Sequence, residues 1–128
     1  MDISKLKSWG FGTDEILADK LKRLVLEGKK TATTGLYKDG GALPKVTDIA
    51  VITDYNDKPF CIIEYTAVNL KPFLDVTYDY VLKEGEGDED LESWRKSHRN
   101  FFNREYPDLF SENSLVVCEE FKIKEILN

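Results

Sequence analysis

The sequence predicts an α+β protein, a small and partly closed mixed β-barrel flanked by helices. Three observations carry this expectation. The hydrophobic periodicity runs helix, strands, short helix, long helix, strand, with no repeating strand–helix–strand unit. The strand candidates are short and bounded by turn residues, as in small barrels. No glycine fingerprint for a dinucleotide and no phosphate loop is present, so the nucleotide-binding α/β classes are set aside.

At 128 residues the chain reads as one domain, 1–128, long enough to bury a core without disulfides or structural metal. No apolar run approaches the roughly 20 residues that span a bilayer. Met1-Asp2-Ile3-Ser4-Lys5 lacks a signal-peptide core, so a cytoplasmic protein with no membrane partner is expected. Cys61 and Cys118 both sit in apolar, strand-like runs and read as buried small hydrophobes in a reducing compartment. Together with the single His98 they show no metal-ligand spacing, so neither metal nor other cofactor is expected. A net charge of −6 argues against sequence-blind coating of nucleic acid, which needs a basic face. The basic residues are clustered nonetheless. Lys20, Lys22, Arg23, Lys29 and Lys30 form one group, and Arg95, Lys96, Arg99 and Arg104 another.

Taken in order, Trp9-Gly10-Phe11-Gly12 alternates aromatics with glycines and reads as a loop. Exposed, its rings would stack on a base; buried, they would cover the core. Thr13 caps a helix whose first turn carries Asp14 and Glu15, with an apolar stripe of Leu17, Leu21, Leu24 and Val25. Gly28 is its C-terminal stop. The helix therefore delivers Lys29-Lys30-Thr31-Ala32-Thr33-Thr34, a strand or loop holding two ammonium groups and three hydroxyls. Such a cluster is either a solvated basic helix end followed by a strand of β-branched residues, or a functional loop that binds an anion or, if a lysine is desolvated, does nucleophile chemistry.

Asp39-Gly40-Gly41 is a turn, and 49–53 and 60–68 pair as an antiparallel hairpin that Pro72 brings to an end. Glu64 interrupts the second strand, facing either solvent or a pocket. Thr77 caps a short helix over 78–83. The run Glu84-Gly85-Glu86-Gly87-Asp88 is acidic and non-helical, either a solvated loop or one that turns a carboxylate inward to a lysine. Asp88 or Asp90 caps a longer helix whose stripe is Leu91, Trp94, His98, Phe101 and Phe102, limited by Pro107. On that stripe His98 reads as a hydrogen-bonded core residue rather than a catalyst. Segments 115–117 and 121–124 complete the chain as strand.

These stretches line up with a known family. Gly28-Lys29-Lys30-Thr31-Ala32-Thr33 fits a Gly-x-Lys-x-x-Thr loop placed after the first helix. With it come Trp9-Gly10-Phe11-Gly12, Leu24-Val25-Leu26-Glu27-Gly28, Pro72-Phe73-Leu74-Asp75-Val76, Glu84-Gly85-Glu86-Gly87-Asp88 and the run from Trp94 to Phe102. In this order they resemble the ASCH domain family, in its bacterial single-domain branch. The resemblance implies a PUA-like barrel, related to an RNA-binding domain, whose motif loop lines a cleft between barrel and helices. It also implies a partner: RNA, or a small molecule derived from a nucleoside or nucleotide. Some members are ribonucleases. Smaller, more distant ones are amidohydrolases that deacetylate N(4)-acetylcytidine with the motif lysine, the motif threonine and a downstream glutamate. By motif position those fall on Lys30, Thr33 and Glu84. Where the distant members carry an arginine two residues after the threonine, this chain has Gly35.

Two regimes follow. If Lys30 is a neutral amine, it takes the Thr33 proton for attack on an acyl carbon while Glu84 orients it or protonates the leaving amine; this is the metal-independent hydrolase reading. If Lys30 stays charged, the trio binds phosphate and base edges. In either regime Lys29, Thr31 and Thr34 line the cleft, Trp9 or Phe11 stacks, and Arg95, Arg99 or Arg104 extends a basic rim.

Overall fold

The computed structural model describes residues 2–12 and 14–127. Among the described residues, five strands form a curled mixed sheet with three α-helices distributed over its two faces, in keeping with the expected α+β, partly closed barrel. The elements are β1 (Ser8–Gly10), α1 (Glu15–Leu26), β2 (Ala32–Leu36), β3 (Ile49–Thr53), β4 (Pro59–Pro72), α2 (Tyr78–Glu84), α3 (Leu91–Glu105) and β5 (Leu115–Ile126). Spatial order is β1-β3-β4-β5-β2; the β1–β3 pair is parallel and the other pairs are antiparallel. Register slips at Ile62/Ile63 and Tyr65/Ala67 interrupt the β4–β5 ladder. Such bulges add twist and bend the long strand, which curls the sheet. Among the described residues no helix is long and apolar enough to cross a membrane.

Strand alternation on β5 explains the two cores. Val116 and Cys118 face one side, where Phe73, Val76, Tyr80, Val81, Trp94 and Phe102 cover them, so α2 and α3 lie on that face. Phe121 and Ile123 face the other side, against Val25 of α1 and Ala50, Ile52, Phe60 and Ile63 of the hairpin. β2 follows the same parity: Ala32 and Thr34 sit opposite Glu120 and Cys118 on the α2/α3 face, and Thr33 sits opposite Glu119 on the α1 face.

Several elements differ from expectation. Residues 8–10, read as loop, form an edge strand. A Cβ on Gly10 would stand 2.9 Å from the Thr53 carbonyl oxygen, so only glycine permits this approach. Thr13 lies outside the described residues; the cap of α1 is Asp14, whose carboxylate accepts from the Ile16 N–H. The buried stripe of α1 is Ala18, Leu21 and Val25, while Leu17 is exposed. β5 is a single strand rather than two pieces, since Cys118, Glu119 and Glu120 break the polarity pattern yet hold ladder positions between β2 and β4. Glu64 faces the surface between Lys122 and Lys124. Thr77 and Asp90 cap α2 and α3.

Candidate functional site

α1 ends at Gly28, whose φ of 76° turns the chain back so that the Lys29 and Lys30 N–H groups both reach the Leu24 carbonyl. The Lys30 side chain is thereby aimed inward and is 1% exposed. Its Nζ donates to the Ala32 carbonyl at 2.7 Å, to Glu86 Oε2 at 2.6 Å and, more weakly, to the Glu84 carbonyl at 3.4 Å. The Phe11 ring centroid lies 5.7 Å from the same nitrogen. The acidic run thus does turn a carboxylate inward to a lysine. The one that reaches it is Glu86, not Glu84.

The run docks through Gly85. At φ 65° it caps α2, and a Cβ there would sit 2.0 Å from the Lys29 carbonyl oxygen. Glycine is therefore needed for backbone to lie on backbone. The Thr31 N–H and hydroxyl both donate to the Lys83 carbonyl, closing the joint from the other side.

Glu84 is the last residue of α2, one position beyond the expected helix, and is buried. Its carboxylate accepts from Thr34 Oγ1 at 2.7 Å and from the Trp94 indole N–H at 2.8 Å, and stands 3.2 Å from His98 Nε2. Burial pushes this carboxyl up, but the His98 hydrogen bond, the Lys30 charge and the Trp94 bond outweigh it and hold it down to about 2. The converse holds for His98: burial pushes the imidazole down, and the Glu84 bond and charge carry it above its ordinary value. The His98 ring stacks on Trp94, with centroids 4.2 Å apart. This is the core role expected of it. Tyr80, unremarked in the sequence, donates to the Thr33 carbonyl at 2.6 Å, and its hydroxyl oxygen lies 3.1 Å from Thr34 Oγ1.

Thr33 and Glu84 lie on opposite sides of β2. Strand parity sends the Thr34 hydroxyl to Glu84 and Thr33 to the α1 face, directly across from Glu119. On that face Trp9 and Phe11 meet edge to face at 5.3 Å, Trp9 meets Phe121 at 6.1 Å, and the Trp9 indole N–H donates to the Tyr65 hydroxyl at 2.9 Å. Beside this wall opens a cavity of about 450 Å³ whose lining includes Lys5, Lys7, Trp9, Asp48 and Tyr65. Lys5 and Lys7 belong to neither basic cluster seen in the sequence, and only the parallel β1–β3 pairing brings them here. The arginine positions are engaged elsewhere: Arg95 donates to the Leu74 carbonyl, Arg99 grips Glu112 with two bonds of 2.8 and 2.9 Å, and Arg104 sits over Phe101. Lys29 is exposed beside Glu27. Among the described residues no group of three or more His, Cys, Asp and Glu side chains has metal-holding geometry.

The model of the ASCH domain matches residues 7–125. The chain belongs to the ASCH domain family. An ASCH domain from Lactobacillus crispatus is 38% identical, with a TM-score of 0.82, over 92% of this chain and 79% of that one. A protein from Enterococcus faecalis is 29% identical, with a TM-score of 0.84, over 96% of this chain and 82% of that one. A mutant ASCH protein from Zymomonas mobilis, at 12% identity and a TM-score of 0.59 over 86% of this chain and 68% of that one, shares the fold alone. No curated protein matches the chain. Within this domain Lys30 is buried, and Thr33 lies on the sheet face away from Glu84.

Proposed function

We propose that this ASCH domain binds RNA or a nucleotide-derived ligand on the α1 face of its sheet, between the Trp9–Phe11 wall and the Lys30–Thr33 stretch. The observation that carries this reading is the half-buried Trp9–Phe11 pair, with the Phe11 ring beside the motif lysine and Trp9 lining a cavity flanked by Lys5 and Lys7. Rings fixed edge to face offer a base a stacking surface at low entropic cost. Lysines beside them supply the phosphate contacts. Lys30 itself favours binding over hydrolysis. Its three acceptors match the three N–H groups of an ammonium, and it makes no hydrogen bond to Thr33. A base for Thr33 would have to surrender that arrangement.

The test is tryptophan fluorescence with nucleosides, nucleotides and RNA octamers. Trp94 is fully buried, so quenching by ligand reports on Trp9. Binding should weaken roughly 5- to 150-fold in Phe11→Ala, the size of one base–aromatic stack. With few phosphate contacts, the logarithmic salt slope for octamers should be shallow, on the order of −1 to −2. No quenching and no rise in melting temperature with any of these ligands would end the reading.

A further inference from the structure

On the α1 face Glu119 is an acidic side chain that neither the motif nor the networks above employ. Glu119 occupies the middle of β5, paired laterally with Thr33 of β2 and Val68 of β4. Parity places it on the same face as Phe121, two residues along, whose ring touches Trp9. Directly opposed residues on one face bring their Cβ atoms to roughly 5 Å, so the Thr33 hydroxyl is its immediate neighbour. Glu119 also sits near enough to Tyr65 to push that phenol up. It is therefore between the motif threonine and the aromatic wall.

What sets Glu119 apart is the lack of a partner. Glu84 has Thr34, Trp94 and His98, and Glu86 has Lys30. Among the described residues no hydrogen bond or ion pair reaches the Glu119 carboxylate. Burial alone acts on it, and lifts it to about 7. A half-buried carboxylate with no protein donor takes its hydrogen bonds from water, and a ligand that offers matched donors can replace that water.

We propose that Glu119 is the specificity determinant of the cleft, its two oxygens accepting the two adjacent N–H donors of a guanine-type base stacked on the Trp9–Phe11 wall. This rests on the nucleotide-binding reading above and adds the base edge to it. A carboxylate is an acceptor-only group with two parallel oxygens. The guanine edge, with N1–H beside the exocyclic N2 amino group, presents two parallel donors. Hydrogen bonds to an ionised acceptor are the strong kind. The other bases offer the carboxylate at most one such donor with an acceptor alongside. Thr33 is placed to meet a neighbouring acceptor on the same base. Because ionised Glu119 is the binding form, affinity should rise as pH rises through the region of 7.

The experiment compares guanosine 5′-monophosphate with inosine 5′-monophosphate, which differ only in the N2 amino group, by Trp9 fluorescence and calorimetry between pH 5.5 and 8.5. Single-stranded rUGU and rUIU are run alongside, to separate a free nucleotide from a strand as the source of the base. Expected is at least a 10-fold preference for the guanine form at pH 8, shrinking below pH 6.5. In Glu119→Gln the preference should fall to within about 2-fold and lose its pH dependence, while the circular dichroism spectrum stays that of the parent. Equal affinity for guanine and hypoxanthine, or a preference that survives Glu119→Gln, overturns the assignment and leaves the cleft reading standing. Binding of none of the four ligands overturns both.

Discussion

Replacing Glu84 by glutamine isolates the buried carboxylate that joins the motif strand to the two outer helices. The amide keeps the shape and offers one acceptor to Trp94 and one donor to Thr34, so what is removed is the charge. A carboxyl held at about 2 against an ordinary value of 4.5 contributes about 3 kcal/mol at neutral pH, at 1.36 kcal/mol per pH unit. The variant should lose on the order of 2–4 kcal/mol, a melting temperature lower by roughly 10 °C for a domain of this size. Urea unfolding followed by the buried Trp94 measures it. The pH dependence supplies a second reading. For a carboxyl held below its ordinary value, the stability is present above about 4.5 and is lost as pH falls toward 2, so the parent should weaken across that window more than the variant. For His98, carried above 6.5, the contribution is present below 6.5 and is lost as pH rises through the folded value; Glu84→Gln should flatten this limb too. A loss below about 1 kcal/mol, or the same acid limb in both proteins, would refute the account of Glu84 as an ionised anchor.

Two further outcomes follow from the same geometry. Gly85→Ala puts a methyl group on the Lys29 carbonyl and a side chain at positive φ, so thermal unfolding should show at least about 2 kcal/mol of destabilisation; a change under 1 kcal/mol would mean that the acidic loop is not docked on the motif backbone. Glu119→Leu should stabilise the unliganded protein, because a carboxyl raised above its ordinary value binds its proton more tightly folded than unfolded, and stability falls between pH 4.5 and about 7. Discounted for partial solvent contact, the gain at pH 8 is on the order of 1 kcal/mol, vanishing near pH 4, as chemical denaturation at the two pH values will show. Equal stability of the two proteins at pH 8 would place Glu119 in free solvent.

Much of the architecture was legible along the chain because it rests on local rules. Thr77 and Asp90 cap their helices since a short oxygen-bearing side chain can take the first free N–H groups, and that needs no tertiary information. Gly28 stops α1 for an equally local reason, its positive φ. Legibility failed where sequence neighbours part company in space. Thr33 and Thr34 are adjacent and chemically identical, yet strand parity sends one to Glu119 and the other to Glu84. The acidic run offers three carboxylates, and only the close approach at Gly85 selects Glu86 for Lys30.

From the residues alone, periodicity predicted an α+β fold and the ordered stretches carried the resemblance to the ASCH family, while the side chain of Lys30 was left with both a solvated and an inward reading. The three-dimensional packing decided who that lysine meets, which threonine faces which glutamate, and that Glu119 has no donor among the described residues. Those pairings depend on which strands lie side by side, and strand order is set by burial summed over the whole chain.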